Sequence, residues 1–278
     1  NLFEGKHFTQ VGISKERKDK NIDESIEKFM QKFFAHIITQ WYNKIQEHAK
    51  NSPLDEWEEK HVPDSYKQEF NEQKRLEKNY GCTLMAYVQT STYWFAFQIG
   101  DGKCFAFTED GKWLEPIPWD EQCFLNKTTS MCDSRAIDEF RYCYQGDGTY
   151  PMAIFLGSDG IDDSFGANEN IVNFYIQILK LFLTKSVQEV EESLHESLPQ
   201  LSKIGSKDDM SVACVYNEHN LERNNTLLNK YQIEKIENQL ETVEQNFKEL
   251  TAKIKGYSSI KKLSDKGVYC MLTNHDTE

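Results

Sequence analysis

The sequence predicts an α+β protein in which antiparallel strands and amphipathic helices share one core, followed by a helical extension at the C-terminus. Three observations predict it. Apolar residues recur with helical spacing from Ile26 to Ile45; short apolar runs punctuated by Asp-Gly pairs fill residues 81 to 114; and a heptad pattern appears after Glu218, where the composition changes. With 278 residues, 38% apolar and 13% aromatic, the chain can bury one substantial core with an appendage.

In the first helix the apolar positions are Ile26, Phe29, Met30, Phe33, Phe34, Ile37, Ile38, Trp41, Tyr42 and Ile45. Steps of three and one leave one broad apolar face, which is a core face. Residues 1 to 20, ending in the charged run Lys15 to Lys20, read as a solvated loop, and Asn21 or Asp23 can cap the helix. His36 and His48 lie on or beside this helix without a partner at i+4, so they do not form a metal pair. Residues 50 to 79 read as a polar connection with one helix from Asp64 to Glu77.

Strand composition begins at Gly81 and continues in three runs, Cys82 to Val88, Tyr93 to Ile99 and Lys103 to Thr108. The turn Gly100-Asp101-Gly102 and the pair Asp110-Gly111 punctuate them, so an antiparallel meander of hairpins is expected. Residues 130 to 144 end in a further strand. The run Met152 to Gly157 then stops on Ser158-Asp159-Gly160, so a buried strand delivers a carboxylate to its end where glycine lets the backbone turn. Helical patterns follow over Asn168 to Thr184 and Ser186 to Leu201. The segment Gly205-Ser206-Lys207-Asp208-Asp209 places carboxylates just ahead of the strand Met210 to Tyr216. After it, Ile233, Ile236, Leu240, Val243, Phe247, Leu250 and Ile254 form a heptad seam stopped by Gly256, either a dimerisation coil or a helix docked within the chain. The expected organisation is a domain over 1–218, the heptad helix over 219–256 and a tail over 257–278 without readable signal.

Composition excludes several classes. A formal net charge of -13, from 45 acidic against 32 basic residues, repels phosphate backbones and anionic lipid, which argues against nucleic acid and membrane as partners. Seven scattered cysteines without a C-x-x-C pair read as free thiols in a reducing cytosol, not as a disulfide framework or a zinc site. Neither a transmembrane run nor a signal peptide is visible, so a cytoplasmic location is expected.

Carboxylates alone, presented from strand ends, suit hard cations such as Mg²⁺ or Mn²⁺. Two such ions a few ångströms apart can activate water for in-line attack on phosphorus. The competing reading is that Asp159-Gly160 and Asp208-Asp209 are ordinary turn residues. An EF-hand reading of Asp159 to Glu169 fails because its ligand positions and central glycine are out of register.

Ser158-Asp159-Gly160-Ile161-Asp162-Asp163 and Ser206-Lys207-Asp208-Asp209-Met210-Ser211-Val212 resemble the two C-terminal metal motifs of the PPM family, the protein phosphatases 2C. Gly81-Cys82-Thr83-Leu84 resembles the Gly-x-Thr strand start of that family, and Ile99-Gly100-Asp101-Gly102 resembles its Val-Gly-Asp-Ser hairpin. Asn126 to Ser130 and the two helices before Asp208 also fit the order of elements. The resemblance covers roughly residues 20 to 217. It implies two antiparallel sheets packed as a sandwich with helices on both outer faces, and hydrolysis of phosphoserine or phosphothreonine in a phosphorylated protein substrate with two Mn²⁺ or Mg²⁺ ions. Asp159, Gly160, Asp208 and Asp101 would be at the metals. Asp209, which stands where the family usually has Asn, together with Asp162 and Asp163, would lie behind the ligands or face solvent.

One family feature is missing. The resemblance calls for an Asp-Gly-x-Gly motif before the first long helix, whose aspartate bridges the metals, and for an earlier acidic ligand. No Asp-Gly precedes Asp101, and the position ahead of Ile26 holds Lys15 to Lys20. Either those residues belong to the protein outside this chain, as a first residue of Asn1 in place of methionine suggests, or catalysis has been lost and the sandwich is a module that binds a protein or phosphoprotein partner.

Overall fold

The computed structural model describes residues 2–13, 23–123, 128–228 and 240–254, and divides the chain into two compact units, Asn1–Asn225 and Thr226–Glu278. The first unit holds two four-stranded antiparallel sheets. The first sheet has the order β1-β6-β3-β2, formed by Thr9–Val11, Arg141–Gln145, Trp94–Ile99 and Leu84–Gln89. The second has the order β5-β4-β7-β8, formed by Trp113–Leu114, Lys103–Phe107, Ala153–Gly157 and Val212–Tyr216.

Alternation along each strand sorts side chains into layers. On the first sheet Phe95, Phe97, Ile99, Tyr142 and Tyr144 point outward and bury Ile26, Met30 and Phe34 of helix α1, Glu24–Asn51. Phe34 stacks on Phe140 with ring centroids 4.3 Å apart. Asp23 caps α1 by accepting the Ser25 N–H, worth about 1 kcal/mol. Between the sheets lie smaller residues, Ala96, Ala106, Cys104 and Cys143, with Ile154 and Trp94. The outer face of the second sheet packs on α6, Asn168–Phe182, where Tyr175 stacks on Phe155 at 4.2 Å. Helices therefore cover both outer faces, as the resemblance implies.

Several local expectations are corrected. Thr9–Val11, read as part of a loop, is an edge strand paired with β6 through Val11↔Tyr142. The helix expected over 64–77 is α3, Asp64–Asn71, preceded by α2, Glu56–His61; Gln73 and Arg75 adopt positive φ and end it before a 3₁₀ turn at Leu76–Tyr80. The runs from 81 to 114 are not one meander. β3 pairs with β2 and β6, while β4 pairs with β5 and β7, so Gly100-Asp101-Gly102 is an arch between sheets instead of a hairpin. A short helix α4, Ala136–Glu139, precedes β6; α5, Asp159–Phe165, follows β7; α7, Val187–Ile204, follows α6; and α8, Glu218–Arg223, follows β8.

The six described cysteines are unbridged, with Cys104, Cys123 and Cys143 buried. No helix among the described residues is long and apolar enough to cross a membrane. In the second unit, residues 240–254 are helical and their heptad positions Leu240, Val243, Phe247, Leu250 and Ile254 are 57% to 71% exposed. Ile233, Ile236 and the tail 257–278 lie outside the described residues, as do Lys15 to Lys20, Asn21, Asn126 and Cys270.

Candidate metal centre

Three adjacent strands of the second sheet end together. The register matches Lys103 to Gly157 and Gly157 to Val212, so Asp101, Asp159 and Asp208 all lie just beyond one edge of β4, β7 and β8. The first sits on the arch, the second opens helix α5 and the third lies in the loop before β8. The expected strand-end turn at Asp159-Gly160 is thus corrected: both residues belong to a helical turn.

Each support is held by its own hydrogen bonds. The arch is clamped from the first sheet, whose buried Gln98 and Arg141 are register partners. Gln98 Nε2 donates to the Gly100 carbonyl at 3.0 Å and to that of Gly102, and Arg141 donates to the Gly100 carbonyl and, at 2.9 Å, to that of Pro118. The Gly100 N–H donates to Thr129 Oγ1 at 3.1 Å, and that hydroxyl donates to buried Asp120 at 3.0 Å. Gly100 has φ +109°, which excludes a side chain.

Serines join the other two supports. Ser158 N–H donates to the Ser211 carbonyl and Ser211 N–H returns to Ser158 Oγ, both at 3.0 Å, while Ser158 Oγ donates to the Asp209 carbonyl at 3.2 Å. Ser206 N–H donates to Ser164 Oγ at 2.9 Å, and Ser206 Oγ donates to the Gly160 carbonyl at 3.1 Å. Gly160 is required here for close approach: a Cβ on it would lie 2.4 Å from the Asp209 carbonyl oxygen.

The carboxylates feel one another. Burial, then the charge of Asp101, raises the Asp159 carboxyl above its ordinary value, with Asp208 and Asp163 adding to the effect. Burial, then Asp162, Asp101 and Asp208, raises Asp163 likewise. Lys103 answers part of this charge from β4: its Nζ lies 2.8 Å from Asp162 Oδ1 and 2.9 Å from Asn168 Oδ1, 5.6 Å from the Trp119 ring centroid. No ion pair among the described residues engages Asp101, Asp159 or Asp208.

An oxygen-only set of mutually repelling carboxylates has the donor chemistry of a hard divalent cation. It is not a closed cage, since among the described residues no three acidic, histidine or cysteine side chains come together to hold an ion by themselves. Asp209 contributes through its backbone, donating its N–H to Asp208 Oδ1 at 2.8 Å. Asp162 is spent on Lys103, whereas Asp163 stays within electrostatic reach of Asp101 and Asp208. Sequence reasoning missed Lys103, Gln98, Arg141 and the four serines. The only signal for the serines was that one flanks each aspartate motif.

A family model and several solved structures are similar to the chain. The family model of Protein phosphatase 2C matches residues 13–199, which include Asp101 and Asp159 and stop short of Asp208. No curated protein matches the chain in sequence. Similar solved structures include a bacterial serine phosphatase bearing a single arginine substitution, at 13% identity over 73% of this chain and 75% of that one, with a TM-score of 0.39. A second variant of a bacterial serine phosphatase shows 15% identity over 56% and 70%, with a TM-score of 0.35. The phosphatase domain of the cell fate determinant SpoIIE from Bacillus subtilis shows 14% identity over 78% and 88%, with a TM-score of 0.32. Because the family model spans well over half of its 278 residues, the chain belongs to the protein phosphatase 2C family.

Proposed function

We propose that the chain hydrolyses phosphoserine and phosphothreonine monoesters of protein substrates in a reaction dependent on two Mn²⁺ or Mg²⁺ ions, with Asp159, Asp208, Asp101 and the Gly160 backbone as the residues that would hold them. The observation that supports it is the set of mutually repelling carboxylates at one sheet edge, which a cation would relieve. Bound there, such ions would supply an activated water at neutral pH and neutralise phosphate charge. The chain's own contribution is positional. The arch, α5 and the β8 loop fix three carboxylates on separate rigid supports, and the Lys103–Asp162 pair keeps one neighbouring carboxylate from adding free charge. The test is hydrolysis of a phosphothreonine peptide and of an aryl phosphate by the full-length protein in Mn²⁺ and in chelator. Turnover that needs Mn²⁺ and disappears in Asp159→Ala is expected; no turnover with either substrate would sink the reading.

A second reading is favoured by the open coordination set among the described residues. In it the sandwich binds a protein or phosphoprotein partner without catalysis. Titration calorimetry separates the two: the phosphatase takes up Mn²⁺ with the affinity lowered in Asp159→Ala, and the binding module takes up none at millimolar concentration.

A further inference from the structure

At the other end of the sandwich, about 17 Å away along β3 at roughly 3.4 Å per residue, the two sheets part around a cavity of 1150 Å³. The register places its walls there. Trp94 pairs with Gln89 and Gln145, Phe107 with Trp113 and Ala153, and Ala153 with Tyr216, all at the ends remote from Asp101 and Asp159. Tyr87, Trp94, Leu114, Tyr150 and Tyr216 give it aromatic and apolar faces. Uncharged amide and hydroxyl groups, among them Gln89, Ser91 and Asn217, surround them. Among the described residues no Lys, Arg or His lines it, and its two carboxylates differ: Asp110 is paired with Lys112 Nζ at 2.6 Å, whereas Glu109 accepts only from the Asn220 amide and keeps its charge without a cation.

Most polar groups of the wall are already engaged. The Trp94 indole N–H donates to the Thr149 carbonyl at 3.1 Å, and Tyr87 Oη donates to Gln89 Oε1 at 2.6 Å. Tyr150 differs. Its hydroxyl is buried and has no hydrogen-bond partner among the described residues, an unfavourable state unless something accepts from it. The wall thus combines flat apolar surface, a donor in want of an acceptor and an electrostatic bias against anions. A cavity of this size and lining is the kind that holds a small organic ligand, with a few polar groups setting orientation.

We propose that this cavity binds an uncharged, flat, multi-ring aromatic molecule bearing a hydrogen-bond acceptor, and that it discriminates against phosphorylated forms of the same molecule. It is a site apart from the carboxylate edge and does not depend on the phosphatase reading. The discrimination follows from Glu109, whose unpaired charge at the cavity repels a phosphate group brought beside it.

Saturation-transfer NMR on the full-length protein in chelator tests it, with riboflavin and adenosine as uncharged probes and the phosphate ester of each as its matched anion. At least one uncharged probe is expected to bind about tenfold more tightly than its ester, the equivalent of about 1.4 kcal/mol. Tyr150→Phe, which removes only the hydroxyl, should weaken that probe about fivefold. Ser91→Trp, at an exposed turn residue of the mouth, should abolish binding, and Asp159→Ala at the far end should leave it unchanged. The proposal is overturned if neither uncharged probe binds the wild type, if the esters bind as tightly as their parents, or if the folded Ser91→Trp protein still binds.

Discussion

Replacing Gly160 by alanine adds one methyl group at a point where α5 meets the backbone of the loop before β8. The added Cβ would stand 2.4 Å from the Asp209 carbonyl oxygen and 3.1 Å from its carbon. An ordinary C···O contact needs close to an ångström more, and neither side can yield by rotating a side chain. The β8 loop must therefore shift bodily, which also stretches the Ser158 Oγ hydrogen bond to that carbonyl. Overpacking of this kind costs about 1–3 kcal/mol and the lost hydrogen bond about 1 kcal/mol, so a loss of about 2–4 kcal/mol is expected. For a domain of this size that is a fall in melting temperature of roughly 4–16 °C. The displaced loop carries Asp208, so calorimetric Mn²⁺ affinity should drop by about tenfold or more, that is by about 1.4 kcal/mol. Ser158→Ala is the control: it loses that hydrogen bond and the one accepted from the Ser211 N–H without the clash, and should cost about 1–2 kcal/mol. A Gly160→Ala protein as stable as wild type in urea, with unaltered Mn²⁺ uptake, would refute the reasoning, because the contact would then be neither tight nor connected to the site.

Other expectations follow from the same geometry. Lys103→Met removes the cation beside half-buried Asp162 and should destabilise the domain by about 1–3 kcal/mol in urea unfolding, with the loss reduced when Asp162→Asn is combined with it. Asp159 has a folded pKa above its ordinary 3.8, so in chelator its contribution to stability is present below that pH and is lost as pH rises through the folded value. Asp159→Asn should therefore stabilise the metal-free protein at neutral pH by about 0.5 kcal/mol or less after solvent screening, with the gain shrinking toward pH 4 and in high salt. Glu139 is pushed up to about 7, chiefly by burial and then by Asp133, from an ordinary 4.5. Its contribution is likewise lost as pH rises across that window, so the melting-temperature advantage of Glu139→Gln over wild type should grow from pH 5 to pH 8; a constant difference would contradict the assignment.

How far the fold was legible depended on whether a feature was periodic. Helix α1 was read from its stripe of apolar residues, and β3 and β7 from continuous apolar runs, because burial leaves a repeat in the sequence. The three-residue strand Thr9–Val11 is too short to show one. Gly100-Asp101-Gly102 illustrates a different limit. The local residues specify a reversal of direction, but which sheet receives the next strand is decided by β4 finding β7, fifty residues later. The carboxylates of the candidate site were legible as residues at strand ends, Asp101 and Asp159 beside glycines and Asp208 ahead of the last strand. The serines and Lys103 were not, since a hydrogen bond from Ser206 to Gly160 needs only proximity and imprints no spacing.

The arch at Asp101 also has a mechanical meaning. It is a rigid strut tying two layers whose shared core mixes small side chains, Ala96, Ala106, Cys104 and Cys143, with the larger Ile154 and Trp94. Gln98 and Arg141, anchored in one layer, grip carbonyls at the crossing into the other. Slippage of one layer over the other would drag Asp101 away from Asp159 and Asp208, which ride on the second layer alone. The arch thus makes the alignment of the two layers a condition for assembling the carboxylate cluster.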